Sequence, residues 1–255
     1  MADAELLNSA VREAGALARS LFGQVKQWSK SDGSPVTEAD LAVDKVLKAR
    51  LHDTRPGYGW LSEETPDTAD RLGRAKVWIA DPIDGTRAFT HGADEWCVAA
   101  ALLTEGRPTL AAIYRPMTGD FYEAAAGKGA RLNGRPLHID AIREDLAGAR
   151  VLGNASALKQ IQAAAPVEAV PSGNIPLALR LAFVAQGRLD AALSTTPKHD
   201  WDLAAGDLLV HEAGGIVTGL SGKAFTYNRA VTRQENYVAS SSRLQAKLLE
   251  HLSPS

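Results

Sequence analysis

Cysteine is almost absent from this sequence of 255 residues, and long apolar runs are missing with it. The single cysteine, Cys97, lies in the apolar run 96–101 and has no second thiol for a disulfide or a zinc site. We therefore expect it to be a buried, unreactive thiol. No apolar stretch approaches the roughly 20 residues needed to cross a bilayer. The absence of such a stretch argues against a membrane protein.

A charge excess of either sign is also lacking. The chain has 28 basic and 30 acidic residues, and the basic residues are scattered, so no surface for a nucleic-acid polymer is expected. At the N-terminus, Asp3 and Glu5 precede the first apolar positions, which is atypical of a signal peptide. We expect a cytoplasmic protein without membrane contact. The 45% hydrophobic content suffices for one large domain or two lobes.

The first half of the chain predicts helices followed by a run of strands. Helical spacing of apolar residues predicts helices over about 4–22 and 37–52, with a helical turn at 87–91. Strands are predicted at 25–28, 57–61, 77–80, 95–104, 108–115, 120–125 and 130–132. This order is typical of an α+β lobe, which we assign to residues 1–145.

The second half alternates between the two kinds of element. Strands are predicted at 150–153, 167–170, 189–193, 216–218 and 237–240. Helices are predicted at 156–164, 177–186, 200–213 and 242–252. The alternation indicates a layered α/β lobe, residues 146–255, after a polar junction at 140–146.

Two carboxylates, Asp81 and Asp84, follow the predicted strand 77–80. Asp-Pro and Asp-Gly are both turn signals, so a solvated turn is one interpretation. Two carboxylates so close repel each other unless a positive charge lies between them. A divalent cation held by oxygen ligands is the alternative interpretation.

Three other carboxylates occupy positions that are ordinary for structural roles. Asp40 could complete a capping box with Thr37 at a helix start. Glu63 is one of two adjacent acids after a predicted strand, where acids usually decorate the surface. Asp202 lies in the first turn of a predicted helix for which Asp200 is a plausible N-cap.

Together, however, four motifs resemble the inositol monophosphatase superfamily of magnesium-dependent, lithium-sensitive phosphomonoesterases. They are Val-Thr-Glu-Ala-Asp at 36–40, Glu-Glu at 63–64, Asp-Pro-Ile-Asp-Gly-Thr at 81–86 and Trp-Asp-Leu-Ala-Ala-Gly at 201–206. They occur in the family's order and extend over most of the chain. Ser62 departs from the family, which normally has Gly before the acid pair. The resemblance implies a layered αβαβα sandwich, the inositol monophosphatase/sugar phosphatase fold.

The resemblance also implies two or three Mg²⁺ ions per site. Their expected ligands are Glu63, Asp81, the carbonyl of Ile83, Asp84 and Asp202. The expected catalytic residues are Asp40, Glu63 and Thr86, with Asp40 polarising the Thr86 hydroxyl so that it helps accept a proton from the attacking water. Lys30 occupies the place of a family lysine in a loop expected to close over a further metal.

Substrate contacts are predicted at Asp84, Gly85, Thr86, Arg87, Asn174 and Ser194. Lys198 could also contact substrate phosphate or hydroxyls, but for this residue we favour a solvated surface position. His91, His199 and His211 offer no metal-binding spacing, and His211 is expected to be packed or at a rim.

The substrate remains open at this point. Enzymes acting on inositol phosphates carry a Glu shortly before Trp-Asp, whereas residues 194–197 here are Ser-Thr-Thr-Pro. The Gly-Asn-Ile-Pro run at 173–176 also departs from their pattern. The Lys-His-Asp lead-in at 198–200 is more similar to bacterial 3'(2'),5'-bisphosphate nucleotidases.

Four functions are therefore considered. A phosphatase of inositol or sugar monophosphates is the first, and a nucleotidase acting on adenosine 3',5'-bisphosphate is the alternative. A histidinol-phosphatase shares Thr-Arg-Ala-Phe at 86–89 but typically lacks Trp-Asp. A regulatory binding protein would be expected to have lost metal ligands, which are all present here. The resemblance further implies a homodimer.

Overall fold

The computed structural model describes residues 1–30, 33–139, 143 and 145–252. The α-helices in this part of the chain are α1 Asp3–Leu21, α2 Glu38–Leu51, α3 Thr86–Thr90, α4 Ala155–Ala164, α5 Leu177–Ala185, α6 Asp200–Glu212 and α7 Ser242–His251. No helix among these residues has the length and apolar character to cross a membrane.

The strands fall into two larger sheets and two short ribbons. In chain order they are β1 Gln27–Ser29, β2 Pro35–Thr37, β3 Gly59–Ser62, β4 Lys76–Asp84, β5 Cys97–Thr104, β6 Arg107–Arg115, β7 Asp120–Ala125, β8 Gly129–Leu132, β9 Arg135–Pro136, β10 Arg150–Gly153, β11 Glu168–Pro171, β12 Ala191–Ser194, β13 Lys198–His199, β14 Gly215–Gly219, β15 Arg233–Gln234 and β16 Tyr237–Ser241. The ribbons pair β1 with β2 and β13 with β15.

Five layers make up the fold. A seven-stranded sheet has the order β3-β4-β5-β6-β7-β8-β9, and a five-stranded sheet has the order β11-β10-β12-β16-β14. Helices α1 and α2 cover the outer face of the first sheet. Helices α5 and α6 lie between the sheets, and α4 and α7 cover the outer face of the second. This arrangement confirms the predicted αβαβα sandwich.

Strand β4 shows why both faces of the first sheet are buried. Val77 and Ile79 point to the core shared with α5 and α6, whereas Trp78 and Ala80 point to the core shared with α1 and α2. A strand buried on both faces has a nearly continuous apolar sequence rather than an alternating one. The apolar run before Asp81 is therefore the central strand that the sequence predicted.

The end of β4 differs from the prediction. The strand does not end at Ala80 but continues to Asp84, with one extra residue between the pairs Asp81–Ala99 and Asp84–Cys97. Pro82 has no N–H to donate to the ladder, so a bulge forms here. The two carboxylates therefore flank a bulge inside the sheet rather than a turn beyond it.

The predicted lobe boundary falls at the junction 140–146, most of which lies outside the described residues. It stays a prediction. Cys97 is fully buried as expected, and burial raises the pKa of its thiol well above the ordinary range.

Candidate active site

The candidate site is built where two parallel strands end side by side. Ser62 of β3 pairs with Ala80 of β4, and the N–H of Glu63 donates to the Ala80 carbonyl at 3.3 Å. This register places Glu63 next to Asp81. The two acids are therefore neighbours in space, although they are far apart in the sequence.

Two helices of the middle layer complete the carboxylate cluster with their first turns. Asp84 accepts a hydrogen bond of 2.7 Å from the N–H of Ala178 in α5. Asp202, in the first turn of α6, accepts one of 2.8 Å from the N–H of His199. Backbone N–H groups at helix starts hold both carboxylates in place.

Gly85 allows the chain to turn sharply beside these acids. Its φ is +101°, a conformation that side chains disfavour. A Cβ atom added here would lie 2.9 Å from the Glu95 carbonyl and 3.3 Å from Pro176 Cβ. Only glycine fits between β4 and the start of α3.

Asp40 fills both of the roles considered for it. Its Oδ2 accepts hydrogen bonds from the N–H and the hydroxyl of Thr37, at 2.8 and 2.6 Å, which completes the capping box of α2. Its Oδ1 lies 3.1 Å from the Thr86 hydroxyl. That hydroxyl is also 3.1 Å from the Ile83 carbonyl, and it can donate to only one acceptor at a time.

The Lys30 side chain contacts the two adjacent acids, Glu63 and Glu64, that follow β3. Its Nζ forms ion pairs with Glu63 at 2.8 Å and with Glu64 at 2.7 Å. The carboxylate of Glu63 therefore already has a cationic partner in this structure.

A cavity of about 380 Å³ gathers most of the predicted site residues. The predicted residues that line it are Glu63, Asp81, Ile83, Asp84, Gly85, Thr86, Arg87, Asn174 and Asp202. Ser194 lies elsewhere: its side chain is buried, and its hydroxyl pairs with that of Thr196 at 2.9 Å. The structure therefore does not place Ser194 with the other predicted substrate contacts.

The acids at the base of this cavity repel one another. Burial, followed by the charges of Glu63 and Asp84, raises the pKa of Asp81 well above its ordinary value. Burial raises the pKa of Asp84 to about 6 although the Ala178 N–H lowers it. Burial and the charge of Asp84 raise the pKa of Asp202 to about 7. A cation among these groups would relieve the repulsion.

The donor set fits a hard divalent cation. The described residues hold no group of three or more Asp, Glu, His or Cys side chains already placed to bind a metal ion. Asp81 is nevertheless buried with no hydrogen-bond partner on its Oδ1. An orphaned carboxylate oxygen needs a partner, and oxygen donors select Mg²⁺ or Ca²⁺ over softer metals.

Two positively charged side chains line the cavity although the sequence analysis did not place them there. Lys198, for which a solvated surface position was predicted, is half-buried and lines the cavity, so that prediction was wrong. Arg180 also lines it and was not predicted at all. Arg180 is the one charged residue among the nine of α5, which is the signal that could have found it.

A third missed residue supports the end of β3. Asp44 is buried and accepts hydrogen bonds from the hydroxyls of Ser62 and Thr65, the latter at 2.6 Å. Asp44 lies one helical turn after Asp40, so the two share a face of α2. That spacing was visible in the sequence.

Other predictions concern residues at the margin. Asp200 is not the N-cap of α6, which is His199; its carboxylate instead accepts from the N–H of Asn228 and the side chain of Gln234. His199 stacks on Trp201 with ring centroids 4.5 Å apart. His211 is exposed, so of the two positions expected for it, packed or at a rim, the packed one is excluded.

A larger cavity, of about 710 Å³, lies on another face of the molecule. Two acids line it: Asp190 is paired with Arg143 at 3.6 Å and Arg150 at 3.1 Å, and Asp145 is paired with Lys247 at 2.8 Å. This cavity has the volume for a ligand, but both of its carboxylates already have cationic partners. The smaller cavity is therefore the better candidate for chemistry.

Comparison with known proteins gives consistent matches over nearly the whole chain. The model of the inositol monophosphatase family matches residues 3–255. An inositol-1-monophosphatase of Mesorhizobium japonicum is 35% identical over 236 residues, which cover 87% of this chain and 88% of that protein. A histidinol-phosphatase of Chlorobaculum parvum is 33% identical over 231 residues, which cover 87% of each. The solved structure of extragenic suppressor protein suhB from Bartonella henselae has a TM-score of 0.84 and 28% identity, covering 97% of this chain and 96% of that one.

Proposed function

The chain belongs to the inositol monophosphatase family of phosphatases, and we propose that it is a Mg²⁺-dependent phosphomonoesterase acting on a small phosphorylated metabolite. The observation that carries this proposal is the cluster of buried Asp81 with the half-buried Asp84 and Asp202 at one cavity, in which Asp81 Oδ1 has no partner. Without cations this cluster would repel a phosphate ester. With cations it becomes a phosphate-binding surface.

The ligands proposed for two or three Mg²⁺ ions are Glu63, Asp81, the Ile83 carbonyl, Asp84 and Asp202. Bound Mg²⁺ supplies charge neutralisation for the phosphoryl group and lowers the pKa of a coordinated water. For Glu63 to join this set, its ion pair with Lys30 must be exchanged for contact with the cation.

A short hydrogen-bonded chain is available to take up the proton of the attacking water. When Thr86 donates its proton to Asp40 Oδ1, the hydroxyl oxygen keeps lone pairs that can accept a proton from water. Asp40 is held by Thr37 on its other oxygen, so it does not need to reorient. Burial raises the pKa of Asp40, which makes its ionised form a better proton acceptor.

The substrate is proposed to lie along the cavity between β4 and α5. The N–H groups of Gly85 and Thr86 would hold phosphate oxygens, and Arg87 and Asn174 would contact the rest of the ester. A cavity of about 380 Å³ suits a small metabolite and not a polymer. The homodimer remains a prediction.

Adenosine 3',5'-bisphosphate is the second candidate substrate. Lys198 lines the cavity, and the run 194–197 lacks the acid expected for contact with inositol hydroxyls. Histidinol phosphate ranks third, supported by the similarity to the Chlorobaculum parvum protein.

Phosphate release tests the proposal. We would compare inositol 1-phosphate, adenosine 3',5'-bisphosphate and histidinol phosphate at equal concentration, with Mg²⁺ and with EDTA. We expect release from at least one ester with Mg²⁺ and none with EDTA. Release from none of the esters with Mg²⁺ would overturn the proposed activity, and release that persists in EDTA would overturn its dependence on metal.

A further inference from the structure

Two positively charged side chains in the substrate cavity have no part in the hydrolysis step proposed above. Arg180 extends from α5, and Lys198 lies on β13 just before α6. Both line the cavity that contains Asp84 and Asp202. Arg180 therefore lies on the helix that bonds to Asp84, and Lys198 lies on the strand directly before the helix that carries Asp202.

The Arg180 side chain is held in place from one side. Its Nε donates a hydrogen bond of 2.7 Å to the carbonyl of Ile175, and its guanidinium lies near the hydroxyl of Tyr237. It forms no ion pair with a carboxylate anywhere in the described part of the chain. A guanidinium fixed through Nε presents its two terminal nitrogens as a fork, which suits phosphate or carboxylate oxygens.

Lys198 is close enough to Arg180 for their charges to interact. Desolvation lowers the pKa of the Lys198 ammonium, the Asp202 charge raises it, and Arg180 lowers it again. Among the described residues its Nζ forms neither a hydrogen bond nor an ion pair. Two half-buried like charges without an ion-pair partner among the described residues are unfavourable unless an anion joins them.

When Mg²⁺ is bound, the nearby carboxylates cannot serve as the anion that Arg180 and Lys198 need. Asp84 and Asp202 attract Arg180 and Lys198 in the metal-free protein. If their charge is taken up by Mg²⁺, the two side chains lose their counter-charges. This step rests on the proposed function.

We propose that Arg180 and Lys198 form a subsite for a second anionic group of the substrate. The preferred ester would then carry a further phosphate or carboxylate in addition to the phosphoryl group that is removed. The expected substrates are therefore small phosphate esters that carry a second anionic group. Monophosphates of alcohols or cyclitols without such a group should be poorer substrates.

Matched ester pairs test the subsite by activity. 3'-AMP and adenosine 3',5'-bisphosphate differ by one phosphate, and glycerol 3-phosphate and 3-phosphoglycerate differ by a carboxylate. We expect kcat/KM to be at least roughly 10-fold higher for the two-anion member of one pair. Which pair shows the preference distinguishes a phosphate-binding from a carboxylate-binding subsite.

Variants assign the preference to the two residues. Arg180→Gln and, independently, Lys198→Gln should each reduce the two-anion to one-anion ratio by roughly 10-fold, and Arg180→Lys should restore part of it. Arg188→Gln is the matched control, because Arg188 is exposed over the Phe183 ring at 3.9 Å, and its ratio should not change. If both members of a pair fall together in the Arg180 and Lys198 variants, the residues bind the scissile phosphate, and the subsite is overturned.

Calorimetry gives a readout without turnover. In the presence of Mg²⁺, carboxyalkylphosphonates should bind the wild-type protein at least several-fold more tightly than methylphosphonate, and Arg180→Gln should remove the difference. A phosphatase without any two-anion preference in either assay would refute the subsite and leave the proposed function standing. A protein that releases no phosphate but binds two-anion phosphonates through Arg180 would refute the proposed function and support the subsite.

Discussion

The carboxylate of Asp84 accepts a hydrogen bond of 2.7 Å from the backbone N–H of Ala178. Asp84 ends β4 in the N-terminal half, and Ala178 lies in the first turn of α5 in the C-terminal half. A predicted metal ligand is therefore held by a backbone group more than ninety positions away in the chain. The geometry of the site depends on how the two halves pack, and no local segment contains it.

Asp81→Asn should abolish turnover and leave the fold intact. The substitution removes a buried charge that its neighbours repel, so we expect the melting temperature in EDTA to be unchanged or higher. Phosphate release should fall by more than about 100-fold. Stabilisation by added Mg²⁺ should be lost in a thermal-shift assay.

Asp207→Asn is the control for Asp81→Asn. Asp207 is also buried in the fold, but it accepts a hydrogen bond of 2.9 Å from the Tyr227 hydroxyl and does not line the site cavity. This variant should keep its response to Mg²⁺ even if it is less stable. An Asp81→Asn protein that unfolds, or that still turns over, would contradict the assignment.

Thr86→Val should separate catalysis from stability. The change keeps the shape of the side chain and removes the hydroxyl that lies 3.1 Å from Asp40 Oδ1. Loss of a proton acceptor costs about 10²–10⁴-fold in rate, whereas loss of one hydrogen bond costs only about 1 kcal/mol of stability. Steady-state kinetics and urea unfolding measure the two. Thr90→Val, which removes a hydroxyl bonded to the Arg87 carbonyl in the same helix, should leave the rate unchanged.

Ser62→Gly restores the residue that the family normally has and should weaken metal binding here. The Ser62 hydroxyl donates to buried Asp44, so its removal leaves Asp44 with Thr65 as its remaining hydroxyl partner. An under-bonded buried carboxylate costs about 1–3 kcal/mol. Because Glu63 follows directly, the Mg²⁺ concentration for half-maximal activity should rise several-fold.

A glycine substitution at the surface controls for backbone flexibility. Ser221 is exposed and donates a hydrogen bond to Glu235, so Ser221→Gly removes a comparable bond away from the site. It should leave the Mg²⁺ dependence unchanged. An unaltered Mg²⁺ dependence in Ser62→Gly as well would show that Asp44 does not position Glu63.

Acid should weaken the fold through Asp190. Burial raises the pKa of this carboxyl, but hydrogen bonds from the Arg150 side chain and N–H outweigh it, so the pKa is lowered overall. The ionised form then stabilises the folded state above the unfolded pKa of about 3.9, and this contribution is lost as the pH falls through the lower folded pKa. Asp190→Asn should be less stable than wild type near pH 7, with the difference vanishing towards pH 2.

The exposed pair of Asp145 and Lys247 is the comparison for Asp190. Its ion pair, at 2.8 Å, is open to solvent, so its effect should be smaller and should disappear at high salt. Thermal melts of Asp145→Asn and Asp190→Asn across the same pH series measure this. A stability difference for Asp190→Asn that is constant from pH 7 to pH 3 would exclude the assigned linkage.

Much of the fold followed from the sequence because its signals are local. The apolar spacing predicted α1 and α2, and the run of apolar residues predicted the centre of β4. The resemblance to the family, carried by four motifs in order, implied that Glu63, Asp81, Asp84 and Asp202 lie together, and the structure places all four at one cavity.

The placements that differ from those expected from the sequence depend on packing. The inward placement of Lys198 depends on the pairing of β13 with β15, and the burial of Ser194 depends on its pairing with Tyr237 across β12 and β16. Neither pairing can be read from the residues around them. The bulge in β4 likewise needs Cys97 as the partner of Asp84, although Pro82 marked the position of the irregularity.

The double engagement of Asp40 has a consequence for how the site can be observed. One oxygen holds the N–H of Thr37, and the other faces the Thr86 hydroxyl. Each time the carboxylate swings away, the Thr37 amide loses its acceptor and becomes open to exchange with deuterium. The exchange rate of the Thr37 amide therefore reports how often the Asp40 carboxylate is out of position. This can be measured in the protein without metal or substrate.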